Sequence, residues 1–321
     1  MFQGVSYSLT QLEYVMAVHR LGHFAKAAEA CHVSQPTLSM QIQKLENDLG
    51  IVIFDRSKKP ILLTEMGKRI IEQAQSILFE AKKFESLIKA SRSDRVDGKI
   101  VLGVIPTVAP YVLPRLLPVL EKENPEVELE IHELQTQRII DSLNSDEIDV
   151  GLLATPLKIN QIHEFPLFYE PFSILCKKGH PLGFLKKVKY SLLNLEDLWL
   201  LEEGHCLRHQ AMDVCSLRKT KKYKRRYEFE SGSLETLKSL VNSYGGYTLL
   251  PSLATEVIGA NSLLVPFERP TPAREVGLVY RREHYKKHLI EVLGEAIIAS
   301  IPQDIRALRQ KDLDVLSVEE G

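Results

Sequence analysis

Apolar residues recur at helical spacing near the N-terminus. Leu12, Val15, Met16 and Val18 mark a first helix over residues 9–20. A second spans Phe24 to Ala30, dense in alanine, and Cys31-His32-Val33 forms a short break. Ser34 suits an N-cap, and Pro36 falls in the first turn of a third helix, where a missing N–H costs little. That helix ends at Gly50, with Leu38, Ile42, Leu45 and Leu49 as its buried stripe. Its other face presents Gln35, Thr37, Ser39, Gln43 and Lys44. Two short apolar runs, IVIF and ILL, flank the charged tip DRSKKP and predict a hairpin. A long helix follows from Thr64 to Ser91, with apolar Ile70, Ile77, Phe84 and Leu87. The polar run SRSDRVDGK then reads as a domain boundary.

Beyond it the period changes. KIVLGVI predicts a strand, PTVAPYVLPRLLPVLEKENP a turn and helix, VELEIHEL a strand, 137–145 a helix and DEIDVGLLA a strand. Further strands are predicted at PFSILCKK, DLWLLEE, YEFES, YTLLP and EVGLVYRR. This alternation implies an α/β fold with parallel layers.

Three helices followed by a basic hairpin make a winged helix-turn-helix. The third helix buries one stripe and offers small hydroxyl and amide side chains to base edges. Ser34, Gln35, Pro36, Thr37, Ser39, Gln43 and Lys44 are its candidate DNA contacts. In the wing, Arg56, Lys58 and Lys59 suit phosphates or the minor groove. Periodicity alone would equally fit a small helical bundle with solvated polar faces. The chain's net charge of -1 decides nothing, since a basic module can be offset by an acidic remainder. His19, His23 and His32 have no metal-site spacing, and no metal or cofactor is expected.

The N-terminus lacks a basic region followed by an apolar run, and no apolar stretch approaches the ~20 residues of a membrane span. A cytoplasmic protein with its four cysteines as thiols is expected. Cys31 and Cys176 lie in apolar company and read as buried, inert residues. Cys206 differs. Its surroundings, LEEGHCLRHQAMDVC, put His205 beside it and Arg208 two residues on, with a helix starting near the thiol. Cations and a helix N-terminus favour a thiolate, which can attack peroxide. Cys215 ends the same stretch. Were 206–215 helical, the two would stand ~13.5 Å apart on opposite faces. A disulfide needs Cα atoms within ~7 Å. The residues alone leave two readings open: a pair whose joining forces a refolding, or two unrelated thiols.

The run AKAAEACHVSQPTLSMQIQKLENDLGIVIFDR...LTEMG resembles the LysR-type transcriptional regulators. The likeness lies in Ala27-Ala28, Ser34-Gln35-Pro36, Ser39, Leu45-Glu46, Leu49-Gly50, Phe54-Asp55-Arg56 and Leu63-Thr64. It implies a winged helix-turn-helix over 1–65 and a linker helix over 66–94 that pairs subunits. It also implies a regulatory domain over 95–310, of two α/β lobes resembling periplasmic binding proteins. Lobe one would hold about 98–168 and 274–302, and lobe two about 169–270. A homodimer or homotetramer binding promoter DNA and engaging RNA polymerase is implied.

GHCLR-QAM-C, VIPTVAPYVLP, HELQT, SLETL, TLLPSLA and GLVYR are similar to the peroxide-sensing members of that family. That likeness implies Cys206 as the peroxidatic and Cys215 as the resolving cysteine, closing a reversible disulfide reset by a thiol reductant. Hydrogen peroxide would be the signal and activation of oxidative-stress genes the output. It places His205, Arg208, Thr107, Thr136 and Arg274 around the peroxide. Such members usually carry Asp where this chain has His209. The run RKTKKYKRRY after Cys215 reads as a solvated surface. Two alternatives stand beside this reading. One is a LysR-type regulator controlled by a small metabolite between the lobes. The other is a thiol peroxidase fused to a DNA-binding domain, for which no further peroxidase motif is found; no enzyme is expected.

Overall fold

The computed structural model describes residues 6–90, with side chains through 85, and 97–194, 197–214, 231–282 and 284–318. The chain divides into two compact units, Met1–Asp94 and Arg95–Gly321.

The first unit holds α1 (Leu9–Leu21), α2 (Phe24–Ala30) and α3 (Gln35–Leu49). A two-stranded hairpin of β1 (Phe54–Asp55) and β2 (Leu62–Leu63) follows, then α4 (Glu65–Ala90). Ser8 opens α1 with a capping box to Gln11, and His23 Nδ1 caps α2 through the Ala25 amide. Gly50 ends α3 at φ 66°, a left-handed conformation that favours glycine. Val15, Ala27, Leu38, Ile42, Leu45 and Ile53 fill the core. Leu49 is only half-buried at its rim, and Cys31 likewise, against the sequence expectation of burial.

The hairpin is shorter than predicted. The ladder holds only Phe54–Asp55 against Leu62–Leu63; before it, the Ile53 carbonyl takes the Thr64 amide at 3.0 Å and the Ile51 amide bonds back to the Glu46 carbonyl at 3.0 Å. Glu46, on the buried side of α3, accepts from the amides of Ile53 and Phe54 at 2.8 and 3.3 Å. On α4, Ile71, Ala74 and Phe79 are buried, whereas Phe84 is 66% exposed.

The second unit is a mixed sheet rather than the parallel layers expected. β3 (Gly98–Val104) pairs in parallel with β4 (Val127–Glu133) and β5 (Val150–Thr155). α5 (Ala109–Glu123) and α6 (Thr136–Asn144) make the connections. β6 (Ile162–Lys177) is a single strand of 16 residues. Its first part, to Pro171, runs antiparallel to β9 (Thr271–Arg281), which also runs antiparallel to β5. Its last part, from Phe172, pairs with β7 (Tyr247–Pro251) and β8 (Ser262–Pro266). So β6 passes from one lobe into the other. The lobe-one core gathers Leu102, Leu116, Ile139, Val150, Leu278 and Leu293. The lobe-two core gathers Phe172, Ile174, Leu198, Leu237, Tyr247 and Leu249.

α7 (Cys206–Val214) and α8 (Leu234–Ser243) belong to lobe two. α9 (Lys287–Ser300) packs on α5; α10 (Gln303–Arg306) and β10 (Leu313–Val315) close the chain, β10 in parallel with β9. DLWLLEE is not a strand. Leu198, Trp199 and Leu201 are buried, but this segment meets β7 through one bridge, Leu198 to Tyr247. Nearly all of YEFES lies outside the described residues.

Candidate DNA-reading face and thiol site

At the start of α3, Ser34 does what its position predicts. Its Oγ accepts from the Thr37 amide at 3.3 Å and meets Thr37 Oγ1 at 2.7 Å. Both hydroxyls are exposed but engaged with one another. Gln35, Pro36, Thr37, Gln43 and Lys44 are exposed on one helix, and Ser39 is half-buried beneath them. Lys58 and Lys59 are exposed at the hairpin tip.

Arg56 stands apart from those lysines. Its guanidinium pairs with Glu46 Oε2 at 2.8 Å, donates to Ser39 Oγ at 3.3 Å and lies over the Phe24 ring. It therefore ties the hairpin to α3 and α2. The hydrophobic pattern gave no warning of this arrangement, because a buried Glu46 interrupts an apolar stripe. The geometry fits an N-terminal helix surface reading a groove while basic side chains meet phosphates.

The thiol site forms where two helices begin. Cys206 is the first residue of α7, and Thr136 is the first of α6. Thr136 Oγ1 and Cys206 Sγ are 2.8 Å apart. Helix N-termini present unpaired N–H groups and partial positive charge. Cys206 Sγ thus lies at the first residue of α7 and against the first residue of α6.

Around the sulfur, the preceding turn is tightly packed. Gly204 adopts φ 91°, and a β-carbon there would stand 2.8 Å from Gln135 Oε1. His205 is buried, and Glu202 Oε1 and Gln135 Nε2 approach its Nε2 at 3.6 and 3.5 Å. Burial pushes the His205 imidazole below its ordinary pKa, and the nearby Glu202 carboxylate opposes that shift. Arg208 donates to the Leu201 carbonyl at 2.7 Å, bracing the loop from α7. His209, one residue on, is half-buried.

Thr107 and Arg274 form a second cluster. Arg274 is 1% exposed and pairs with fully buried Glu170 at 2.7 Å. It donates to Thr107 Oγ1 at 2.9 Å and to the Thr107 carbonyl at 3.0 Å. Glu170 also accepts from the Leu253 amide at 2.8 Å. Thus Thr136 is brought to Cys206, His205 adjoins it in the chain with its ring turned to Glu202 and Gln135, and the bonds of Arg274 run to Thr107 and Glu170. Sequence reasoning missed Gln135, Glu202 and Glu170. Only the adjacency of Gln135 to Thr136 and of Glu202 to the thiol turn hinted at the first two. Cys215 and the basic run after it lie outside the described residues. Among the described residues no group of three or more His, Cys, Asp or Glu is placed to hold a metal. No helix there is long and apolar enough to cross a membrane.

Residues 9–68 match the bacterial regulatory helix-turn-helix protein, lysR family. Residues 93–301 match the LysR substrate binding domain. The chain belongs to the LysR family of bacterial regulators.

Relatives of this LysR-family chain align almost end to end. It is 38% identical over 292 residues to the hydrogen peroxide-inducible genes activator of Dickeya chrysanthemi, covering 90% of this chain and 94% of that one. It is 37% identical to the DNA-binding transcriptional dual regulator OxyR of Escherichia coli K12, covering 91% and 95%. Among solved structures, a full-length OxyR from Pseudomonas aeruginosa, with one cysteine replaced by aspartate, matches with a TM-score of 0.77. That structure is 35% identical, with 91% of this chain and 97% of the other covered. These likenesses agree with the α/β, two-lobed fold and helix-turn-helix expected from the sequence.

Proposed function

We propose that this LysR-family regulator senses hydrogen peroxide through Cys206 and changes its grip on promoter DNA. The observation that carries this reading is the 2.8 Å contact of Cys206 Sγ with Thr136, at the meeting of two helix N-termini. The names of its relatives support the same signal. In the first step the Cys206 thiolate attacks one peroxide oxygen and the O–O bond breaks. Sulfur is oxidised by two electrons to the sulfenic acid, and the departing hydroxide takes a proton to leave as water. The Cys215 thiol then displaces a second water and closes the disulfide. A dithiol reductant returns two electrons and two protons.

The switch follows from α7. Cys206 opens a helix that runs to Val214, directly before Cys215. Eight helical steps already carry Val214 ~12 Å from Cys206, and one further residue of ~3.8 Å cannot bring the Cys215 Cα within ~7 Å, so oxidation must unwind α7. The paired helices of a dimer or tetramer would read that change as a new half-site spacing. The protein acts in the cytoplasm, with RNA polymerase as its downstream partner. It consumes one peroxide per switch rather than turning over as an enzyme. Thr107 and Arg274 act at the lobe junction and fix the frame against which α7 moves. Both members of the Arg274–Glu170 pair are buried there.

The test is stoichiometric peroxide added to the reduced full chain, with disulfides mapped by mass spectrometry and Cys206→Ser as control. A Cys206–Cys215 bond at low micromolar peroxide is expected. Its absence sinks the reading, and sustained peroxide consumption with a thiol reductant would make the protein an enzyme instead.

A further inference from the structure

Polar groups beyond the thiol converge beside Cys206. His205 is buried, with its Nε2 3.6 Å from Glu202 Oε1. Gln135, reaching across from the start of α6, donates to the same Glu202 oxygen at 3.4 Å. The Glu202 backbone N–H donates to the Ser231 carbonyl at 3.0 Å. Gly232 completes the enclosure. A β-carbon there would stand 2.9 Å from Glu202 Oε1 and 3.4 Å from His205 Nε2. The absence of a side chain at 232 is what lets carboxylate and imidazole approach one another.

We propose that Glu202 is a positioning residue for the chemistry of Cys206, acting through His205. This inference rests on the peroxide reading of Cys206 given above. When Sγ loses its proton, the imidazole of the adjacent residue is a buried base able to take it. A carboxylate at Nε2 holds the resulting imidazolium in place, as the third member of a nucleophile–base–orienter set does. The cation then stabilises the thiolate, and its proton is returned to the hydroxide that leaves when the O–O bond breaks. The carboxylates acting on His205 are Glu202 on its own loop and Glu133 on β4, with Gln135 as the neutral contact from α6. Burial works against a charged His205, and both carboxylates work for it.

The sign of the effect separates this role from that of a bystander. A carboxylate that merely sits near sulfur repels a thiolate, so its removal would make the thiol more reactive. A carboxylate acting through His205 does the opposite. The experiment uses the full chain carrying Cys215→Ser, so that disulfide closure does not intervene. Iodoacetamide alkylation and hydrogen peroxide oxidation of Cys206 are followed by mass spectrometry across a pH series. Glu202→Gln is expected to slow both at neutral pH by about tenfold, a modest share of what positioned acid–base groups supply. It should also move the alkylation profile to higher pH. Gly232→Ala retains the carboxylate but displaces it, and should shift the profile the same way by less. In a His205→Asn background, Glu202→Gln should change nothing. Unchanged or faster alkylation in Glu202→Gln, or equal slowing without His205, overturns the proposal. If Cys206 alkylates but is not oxidised by peroxide, the sensing function fails, while the alkylation profiles still judge Glu202.

Discussion

The Thr136 hydroxyl and the Cys206 sulfur stand 2.8 Å apart although 70 positions separate them in the chain. Neither helix could make the contact alone, since each supplies one atom at its first residue. Thr136→Val keeps the shape and removes the hydroxyl. Losing a net hydrogen bond of ~1 kcal/mol should slow peroxide oxidation of Cys206 roughly fivefold. Rapid-mixing kinetics with mass-spectrometric readout of Cys206 would check this, with thermal unfolding as the control for folding. An unchanged rate would mean that the hydroxyl is a spectator.

The Arg274–Glu170 pair makes a different prediction, about stability. Both side chains are almost wholly buried, and each has further hydrogen bonds to protein. Removing one partner strands a charge in the interior, at a cost of about 3–5 kcal/mol. Glu170→Ala and Arg274→Ala should each destabilise by that order in urea unfolding of the full chain. The double replacement Glu170→Met with Arg274→Met should cost less than the sum of the single Met changes. Additive losses would show that the two charges do not depend on each other.

At the hairpin, basic residues of one short segment should behave in two ways. Lys58 and Lys59 are exposed, whereas Arg56 is bound to Glu46 and Ser39. Replacing either lysine by alanine should reduce the salt dependence of DNA binding by about one phosphate's worth. Arg56→Ala should instead lower the melting temperature of the N-terminal unit and weaken binding through it. The comparison is a salt titration of affinity beside thermal unfolding. Equal salt slopes and equal stabilities for all three variants would erase the distinction.

The cysteines should separate by pH. Burial, then Glu13, raises the Cys31 thiol pKa, and burial raises that of Cys176. A raised pKa keeps the inert thiol form to higher pH, so both should resist alkylation until pH passes the ordinary thiol range. Cys206 should label first at neutral pH in the native protein, and urea should bring all three together. Native labelling of Cys31 as fast as Cys206 would contradict this.

Much of this architecture was legible because it rests on local patterns. Leu12, Val15 and Val18, the cap at Ser34 and the stop at Gly50 fix three helices without reference to distant residues. Where partners came from afar, the pattern misled or fell silent. Glu46 looks like a surface residue until the Ile53 and Phe54 amides arrive to occupy it. DLWLLEE looks like a strand because burial and ladder pairing leave the same apolar trace. Here Trp199 is buried by lobe two, and its amide bonds to the Tyr247 carbonyl at 2.8 Å, outside any continued ladder. The first half of β6 was overlooked because Pro166 and Pro171 interrupt it, with a register shift between Pro166 and Phe168. Around the thiol, the run GHCLR set Cys206 apart from the other cysteines by its neighbouring cations. Gln135 and Gly232 gave no such sign, for their role exists only once two lobes meet.

The long β6 strand has a mechanical consequence. Sixteen residues at ~3.3 Å each make a beam of roughly 50 Å, clamped to β9 along one half and to β7 and β8 along the other. The two lobes therefore share one continuous strand, with a register shift between Pro166 and Phe168 in its first half. Cys206 is mounted off it, on a short helix reached through a loop that meets the sheet at one bridge. On the proposed reading, a change at Cys206 would reach that shared strand from α7 and its loop.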